Sequence, residues 1–194
     1  MTALPELPGR LLTVDAYVAL GEDDRYRSEL QEGNLVMSPS PAPDHMIVMT
    51  RLLIQLDEQL PSGLLMIPDV DVDLELAPRG KPGFVRRPDL VVVHQAAVDR
   101  VRRDGGILRA CEVLVVVEIV SPGSRRTDHM IKRDEYADAS IPHYWIVDLD
   151  GPVTLIDCHL AAEFGYQDPG PVTGRFVTTE PFPVNLRLDG LLPG

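Results

Sequence analysis

Two carboxylates stand where the surrounding pattern calls for apolar side chains. Asp89 opens the aliphatic run 90–93, and Glu118 interrupts the run 113–120 (Val-Leu-Val-Val-Val-Glu-Ile-Val). Continuous aliphatic runs of this length read as strands buried on both faces in the middle of a sheet. A carboxylate in such a place must be neutralised or find a cation, and two of them converging across neighbouring strands repel unless a cation lies between. A hard divalent ion suits the position, because magnesium or manganese takes oxygen ligands, commonly one or two carboxylates with carbonyl, phosphate and water oxygens. Taken singly, each acid reads equally well as a strand-end residue facing solvent. After Glu118, Ser121, Ser124, Arg125 and Arg126 fall just before or within the first turn of a helix expected over residues 125–139. Free N–H groups and the helix dipole attract anions there, so a phosphate fits, as does a plain Ser cap with solvated arginines.

Other chemistries find little support. His94, His129, His143 and His159 have no metal-ligand spacing, which disfavours zinc. No Gly-rich phosphate loop or G-x-S-x-G elbow is present. The two cysteines, Cys111 and Cys158, are too far apart for a zinc knuckle and too few for a disulfide scaffold, and they read as buried free thiols.

The elements that must position these residues follow from the hydropathy pattern. Thr13 caps a first helix that the cluster 21–24 stops, and residues 28–36 form a hairpin turning at Glu32-Gly33-Asn34. A Ser/Pro-rich loop leads to a second helix over 45–60. Residues 64–76 alternate as one half-buried strand. The two aliphatic strands are joined by a polar segment containing residues 100–106. Residues 144–148 make another central strand, hairpins at 153–157 and 175–177 complete the sheet, and 165–174 is a surface loop. The order predicts one α/β (α+β) domain over 1–194, a mixed sheet flanked by helices with an N-terminal helix and hairpin extension.

The chain has 194 residues, 18 Lys+Arg against 30 Asp+Glu and a formal charge of −12, which disfavours a basic protein that coats nucleic acid. The acidity is uneven. Residues 1–75 carry −10, 76–135 carry +4 and 136–194 carry −6, so any polyanion contact is expected in the middle segment. No run approaches the about 20 apolar residues of a bilayer span, and the amino terminus lacks the pattern of an export signal, which points to the cytoplasm and to no membrane partner.

Together the motifs resemble a known family. Arg87-Pro-Asp-Leu-Val-Val-Val93, Val117-Glu-Ile-Val-Ser-Pro122, Ser124-Arg-Arg-Thr-Asp128, Lys132-Arg133, Tyr136-Ala137 and Ile141-Pro-His-Tyr-Trp-Ile-Val-Asp148 resemble the Uma2 (DUF820) family of restriction endonucleases. Glu29-Leu-Gln-Glu-Gly-Asn-Leu-Val36, Ser38-Pro-Ser-Pro41 and His45 extend the resemblance over nearly the whole chain. It implies the PD-(D/E)xK nuclease-like fold, a four-stranded mixed core sheet between helices, and Mg²⁺- or Mn²⁺-dependent hydrolysis of DNA phosphodiesters. Residue by residue, Asp89 matches the acid of the PD motif and Glu118 the second acid. The usual lysine position is Val120, and Lys132 on the next helix is the implied replacement. Asp89, Glu118 and the Ile119 carbonyl would hold the metal, with Glu29 a further metal or water ligand and His45 a near-site candidate.

The bland readings stand beside these: Lys132 as a solvated lysine paired with Asp128, Glu29 as an exposed hairpin acid, and His45 as a structural histidine. Aromatic content of 5% favours duplex DNA over stacked single strands. A homodimer would place two sites on the two strands of a duplex. The competing function is a nuclease fold without catalysis that binds DNA or a protein partner.

Overall fold

A computed structural model of the chain describes residues 11–21, 27–38, 40–121 and 123–192. Residues 22–24 of the expected first-helix stop, and Pro39 and Pro122, lie outside the described residues. Helix α1 (Val14–Leu20) starts behind Thr13, whose hydroxyl accepts the Ala16 N–H. Strands β1 (Arg27–Gln31) and β2 (Asn34–Ser38) form the expected hairpin. Its turn is pinned at Gly33, which has φ 79 and accepts the Leu12 N–H at 2.7 Å while donating to the Gly83 carbonyl at 2.9 Å. A Cβ on Gly33 would lie 2.7 Å from Pro82 Cβ and 2.8 Å from Leu11 Cβ, so only glycine lets the three segments close. Helix α2 (Pro43–Asp57) buries Val48, Leu52 and Leu56 along one face. It begins before His45 because proline suits the first helical position, and it ends before Leu60.

The expected strand 64–76 is two strands in two sheets. β3 (Leu64–Pro68) lies in the central sheet, the chain turns at Asp69 with φ 51, and β4 (Val72–Asp73) joins a second sheet. The apolar–acidic alternation belongs to residues 69–76 beyond the break, while β3 packs Leu64 and Met66 into one core and Leu65 and Ile67 into the other. β5 (Val85–Arg86) and β6 (Leu90–His94) follow.

The polar segment expected after β6 contains a helix, α3 (Gln95–Asp104). Ala97, Val98 and Val101 supply a narrow apolar stripe among charges, Arg102 and Arg103 favour its C-terminal end, and Gly105 with φ 75 stops it. β7 (Leu108–Arg109) and β8 (Val113–Val120) come next. The expected helix 125–139 is helical but not uniform. Thr127–Ile131 form a π-type turn in which the Lys132 N–H reaches the Thr127 carbonyl, and α4 (Lys132–Asp138) continues it.

β9 (His143–Asp148), β10 (Thr154–Leu160), β11 (Tyr166–Gln167) and β12 (Val172–Thr173) extend the central sheet, so the segment 165–174 carries two short strands rather than loop alone. β13 (Arg175–Thr178) and β14 (Val184–Arg187) pair with each other in a separate ribbon rather than completing that sheet. The central order is β11-β10-β9-β8-β6-β3, with β8 parallel to β9 and antiparallel to β6. The N-terminal hairpin belongs to the second sheet, β2-β1-β5-β4-β7.

Each face of the central sheet carries a core. On one, α2 and the ribbon pack against Leu90, Val92, Val115, Val117, Ile119 and Trp145, with the Trp145 ring edge-on to Phe176. On the other, Val91, Val93, Val116 and Val120 pack with Tyr136, Tyr144 and Cys158. Cys158 is buried as expected, but Cys111 is exposed. Burial pushes the Cys158 thiol up to about 12, so thiolate is scarce in the folded chain. A disulfide reagent such as DTNB at pH 8 is therefore expected to release one equivalent from the native protein, from Cys111, and a second only on unfolding. Two rapid equivalents would contradict this packing.

Candidate active site

Strand register decides which side chains meet. Leu90 pairs with Val117 and Val91 with Val116, so one step past the ladder Asp89 stands opposite Glu118. Side chains alternate along a strand, and both acids fall on the face of Val91, Val116 and Val120, the one α4 covers. Both are buried, Asp89 at 3% and Glu118 at 4% exposure.

Groups freed at the ladder end hold Asp89. The Ile119 N–H donates to Oδ2 at 2.7 Å, and His45 Nε2 lies 3.0 Å from the same oxygen. A carboxylate only accepts, so Nε2 carries the hydrogen; Nδ1 of His45 is buried with no partner among the described residues. Arg27 approaches Oδ1 at 3.3 and 3.4 Å, but its closest partner is Asp69 at 2.7 Å.

Helix α4 supplies the cation. Lys132 is buried, and its Nζ lies 2.7 Å from Glu118 Oε1, 3.4 Å from Glu29 Oε1 and 3.7 Å from Asp128 Oδ1. It is neither solvated nor paired with Asp128 alone. Tyr136, one turn further along, donates its hydroxyl to Glu118 Oε1 at 2.7 Å. Glu29 is buried on β1 rather than exposed on its hairpin. Its second oxygen accepts from Arg86 at 2.8 Å, while the Arg87 N–H donates to the first. Arg86 is 1% exposed and also clasps Glu135 of α4 at 2.6 and 2.8 Å, so one guanidinium ties the hairpin sheet to the lysine helix.

The charges follow this geometry. Burial, with Asp89, Asp128 and Glu29 nearby, raises the Glu118 carboxyl above its ordinary value, against the pull of the Lys132 ammonium. Burial acts against the charge on Lys132, but Glu118, Glu29 and Asp128 outweigh it and hold the ammonium protonated far into base. Glu29 and Asp89 go the other way. Burial raises each, but Lys132 and Arg86 hold Glu29 below its ordinary value, and His45, the Ile119 N–H and Arg27 do so for Asp89.

Among the described residues no three His, Cys, Asp or Glu side chains form a ready metal cage. The donor set present is leaner. Glu118 Oε2 accepts no hydrogen bond among the described residues and is not a sealed, unsatisfied atom. Asp89 Oδ1 has only the long Arg27 contacts. The Ile119 carbonyl lies on the same edge of β8 as the N–H that reaches Asp89. Glu29, Asp69, Asp89, Glu118, Asp128 and Glu135 share Arg27, Arg86 and Lys132, a negative surplus of the sign a divalent cation offsets. Two carboxylates and a carbonyl fit a hard ion, which seldom takes more protein ligands than that.

The Ser-Arg segment is arranged differently from the carboxylate centre. Ser121 and Ser124 hydroxyls bond each other at 2.9 Å, Arg125 pairs with Asp148 and Asp150, and Arg126 is exposed. Sequence reasoning passed over Arg27, Arg86 and Tyr136 as members of the centre. Tyr136 was within reach, four residues after Lys132 and so on the same helical face. Arg86 carried no such signal, because its partners lie 57 and 49 residues away in the chain.

No curated protein matches this chain. A crystal structure described as "a putative nuclease belonging to DUF820" from Anabaena variabilis ATCC 29413 has a similar fold, with a TM-score of 0.68 at 16% identity over 93% of this chain and 97% of that one. The family model described as "Putative restriction endonuclease" matches residues 14–189, most of the chain and all of the centre above, and on that match the protein belongs to the Uma2 family.

Proposed function

We propose that the protein is a metal-dependent endonuclease that hydrolyses DNA phosphodiesters at the Asp89–Glu118–Lys132 centre. The observation that carries the reading is the return of a lysine to the second acid: Val120 occupies the usual position, yet Lys132 Nζ sits 2.7 Å from Glu118 and is buried. A fold kept only for binding has no need of a desolvated lysine among three carboxylates, which is costly unless it is used.

Asp89, Glu118 and the Ile119 carbonyl would hold Mg²⁺ or Mn²⁺, which supplies Lewis-acid polarisation of a phosphate and acidifies a water. The chain's own groups do the rest. The Ile119 N–H and His45 fix the plane of Asp89 through Oδ2. Lys132 offsets charge developing on the phosphate or orients the attacking water. Glu29, held by Arg86, keeps Lys132 protonated and gives it a second resting partner when it leaves Glu118. Duplex DNA is the proposed substrate, reached through cation-dependent contacts because the net charge is −12.

Supercoiled plasmid with Mg²⁺ or Mn²⁺ tests the reading. The wild type should nick or linearise it, with the rate falling steeply as salt rises. Asp89→Ala and Glu118→Ala should each lose at least about 100-fold, and Lys132→Met roughly as much, with the fold retained by circular dichroism. Cleavage surviving both acid substitutions would remove the site assignment.

Arg86 gives a test of a different kind. Arg86→Met strands the buried Glu29 and the half-buried Glu135, so chemical denaturation should show a loss on the order of 3–5 kcal/mol. A loss below about 1 kcal/mol would mean that Glu29 and Glu135 find other partners.

A further inference from the structure

Glu118 is bound in an uneven way. Its Oε1 receives both Lys132 Nζ and the Tyr136 hydroxyl, each at 2.7 Å, and its Oε2 receives no donor among the described residues. Both donors come from α4, one turn apart. The Tyr136 ring is itself held, buried and edge-on to Tyr144 at 5.1 Å and 68°, and the Tyr144 hydroxyl is anchored on the Asp128 carbonyl at 2.9 Å. The tyrosine is therefore a rigid donor fixed by a second tyrosine. The lysine, by contrast, has Glu29 3.4 Å away as an alternative partner.

We propose that Tyr136 is a positioning residue that clamps Glu118 through Oε1, so that Oε2 stays turned to the centre and Lys132 is free to leave the carboxylate. A carboxylate held by the lysine alone would lose its orientation whenever the lysine moved to a phosphate or a water. With the tyrosine in place, one strong hydrogen bond remains and the buried acid is never unpaired. The use of Oε2 for a metal rests on the endonuclease reading above; the clamp on Glu118 does not.

Tyr136→Phe removes one oxygen and keeps the ring packing. Crystal structures of Lys132→Met and of the Lys132→Met/Tyr136→Phe double variant, without added metal, read the clamp directly. Glu118 should keep its rotamer in Lys132→Met, where the tyrosine alone holds it, and turn or populate a second rotamer in the double variant. Manganese binding to the full-length proteins, followed by electron paramagnetic resonance, reads the consequence. Tyr136→Phe should weaken it on the order of 10-fold. Lys132→Met should tighten it by removing a competing cation, and the double variant should lose that gain.

A displaced Glu118 rotamer in Lys132→Met, or an unchanged one in the double variant, overturns the clamp whatever the binding data show. A wild type that binds no manganese, with the rotamers as expected, overturns the metal reading and leaves the clamp standing. If the double variant does not fold, the Lys132→Met structure decides.

Discussion

Burying carboxylates at the end of a β-ladder is the constraint around which this molecule is arranged. Asp89 and Glu118 are driven inside by the strands they belong to, since β6 and β8 are apolar on both faces and covered on both. Each acid then has to be compensated within the protein, and the compensation comes from elements far away in sequence: His45 from α2, Lys132 and Tyr136 from α4, Glu29 and Arg86 from the second sheet. Removing water makes every one of these contacts stronger and every missing one dearer. The π-type turn before Lys132 and the tight approach at Gly33 both lie on elements that deliver a charged group to this centre.

The same constraint explains what could be read in the sequence. The central strands, both acids and the hairpin were legible because hydrophobic runs and turn residues are local signals, and an acid inside an aliphatic run is conspicuous. Val120 marked the lysine as displaced, and it was the family resemblance that pointed to Lys132 on the next helix. Residues 64–76 show the limit of that reading. The apolar run 64–67 packs into both cores and the alternation begins only at Asp69, where the chain turns between two sheets, so reading them as one half-buried strand merged two elements. Helix α3 was masked for a different reason, its apolar stripe being only Ala97, Val98 and Val101 among charges. Arg86 was illegible because a buried arginine and an exposed one are the same letter, and only the tertiary fold brings Glu29 and Glu135 to it.

Charge pairing also revises the meaning of the basic middle segment. Its formal +4 suggested a strip open to a polyanion. In the fold Arg86 is buried between Glu29 and Glu135, Arg87 is paired with Asp71, Arg125 with Asp148 and Asp150, and Arg133 with Asp168. Much of the surplus is spent on acids from the flanking segments. Long-range attraction of a polyanion is correspondingly weak, and under the proposed function a divalent cation at the carboxylate centre would supply charge where the protein's own cations are committed.

Moving the lysine from strand to helix then has a structural logic. Val120 shares the face of Glu118 but sits two residues along, about 6.6 Å away at the rise of a strand, and it is packed into the core beneath α4. A lysine there would have to displace that packing and would be anchored to the same rigid strand as the acid it serves. On α4 the lysine approaches from above, shares its helix with Tyr136, and finds Glu29 and Asp128 as alternative partners. The strand keeps its apolar seal, the tyrosine keeps the acid in place, and the lysine gains freedom of movement that the strand position does not offer. Fixed and mobile roles are thereby divided between side chains on one helix, four residues apart.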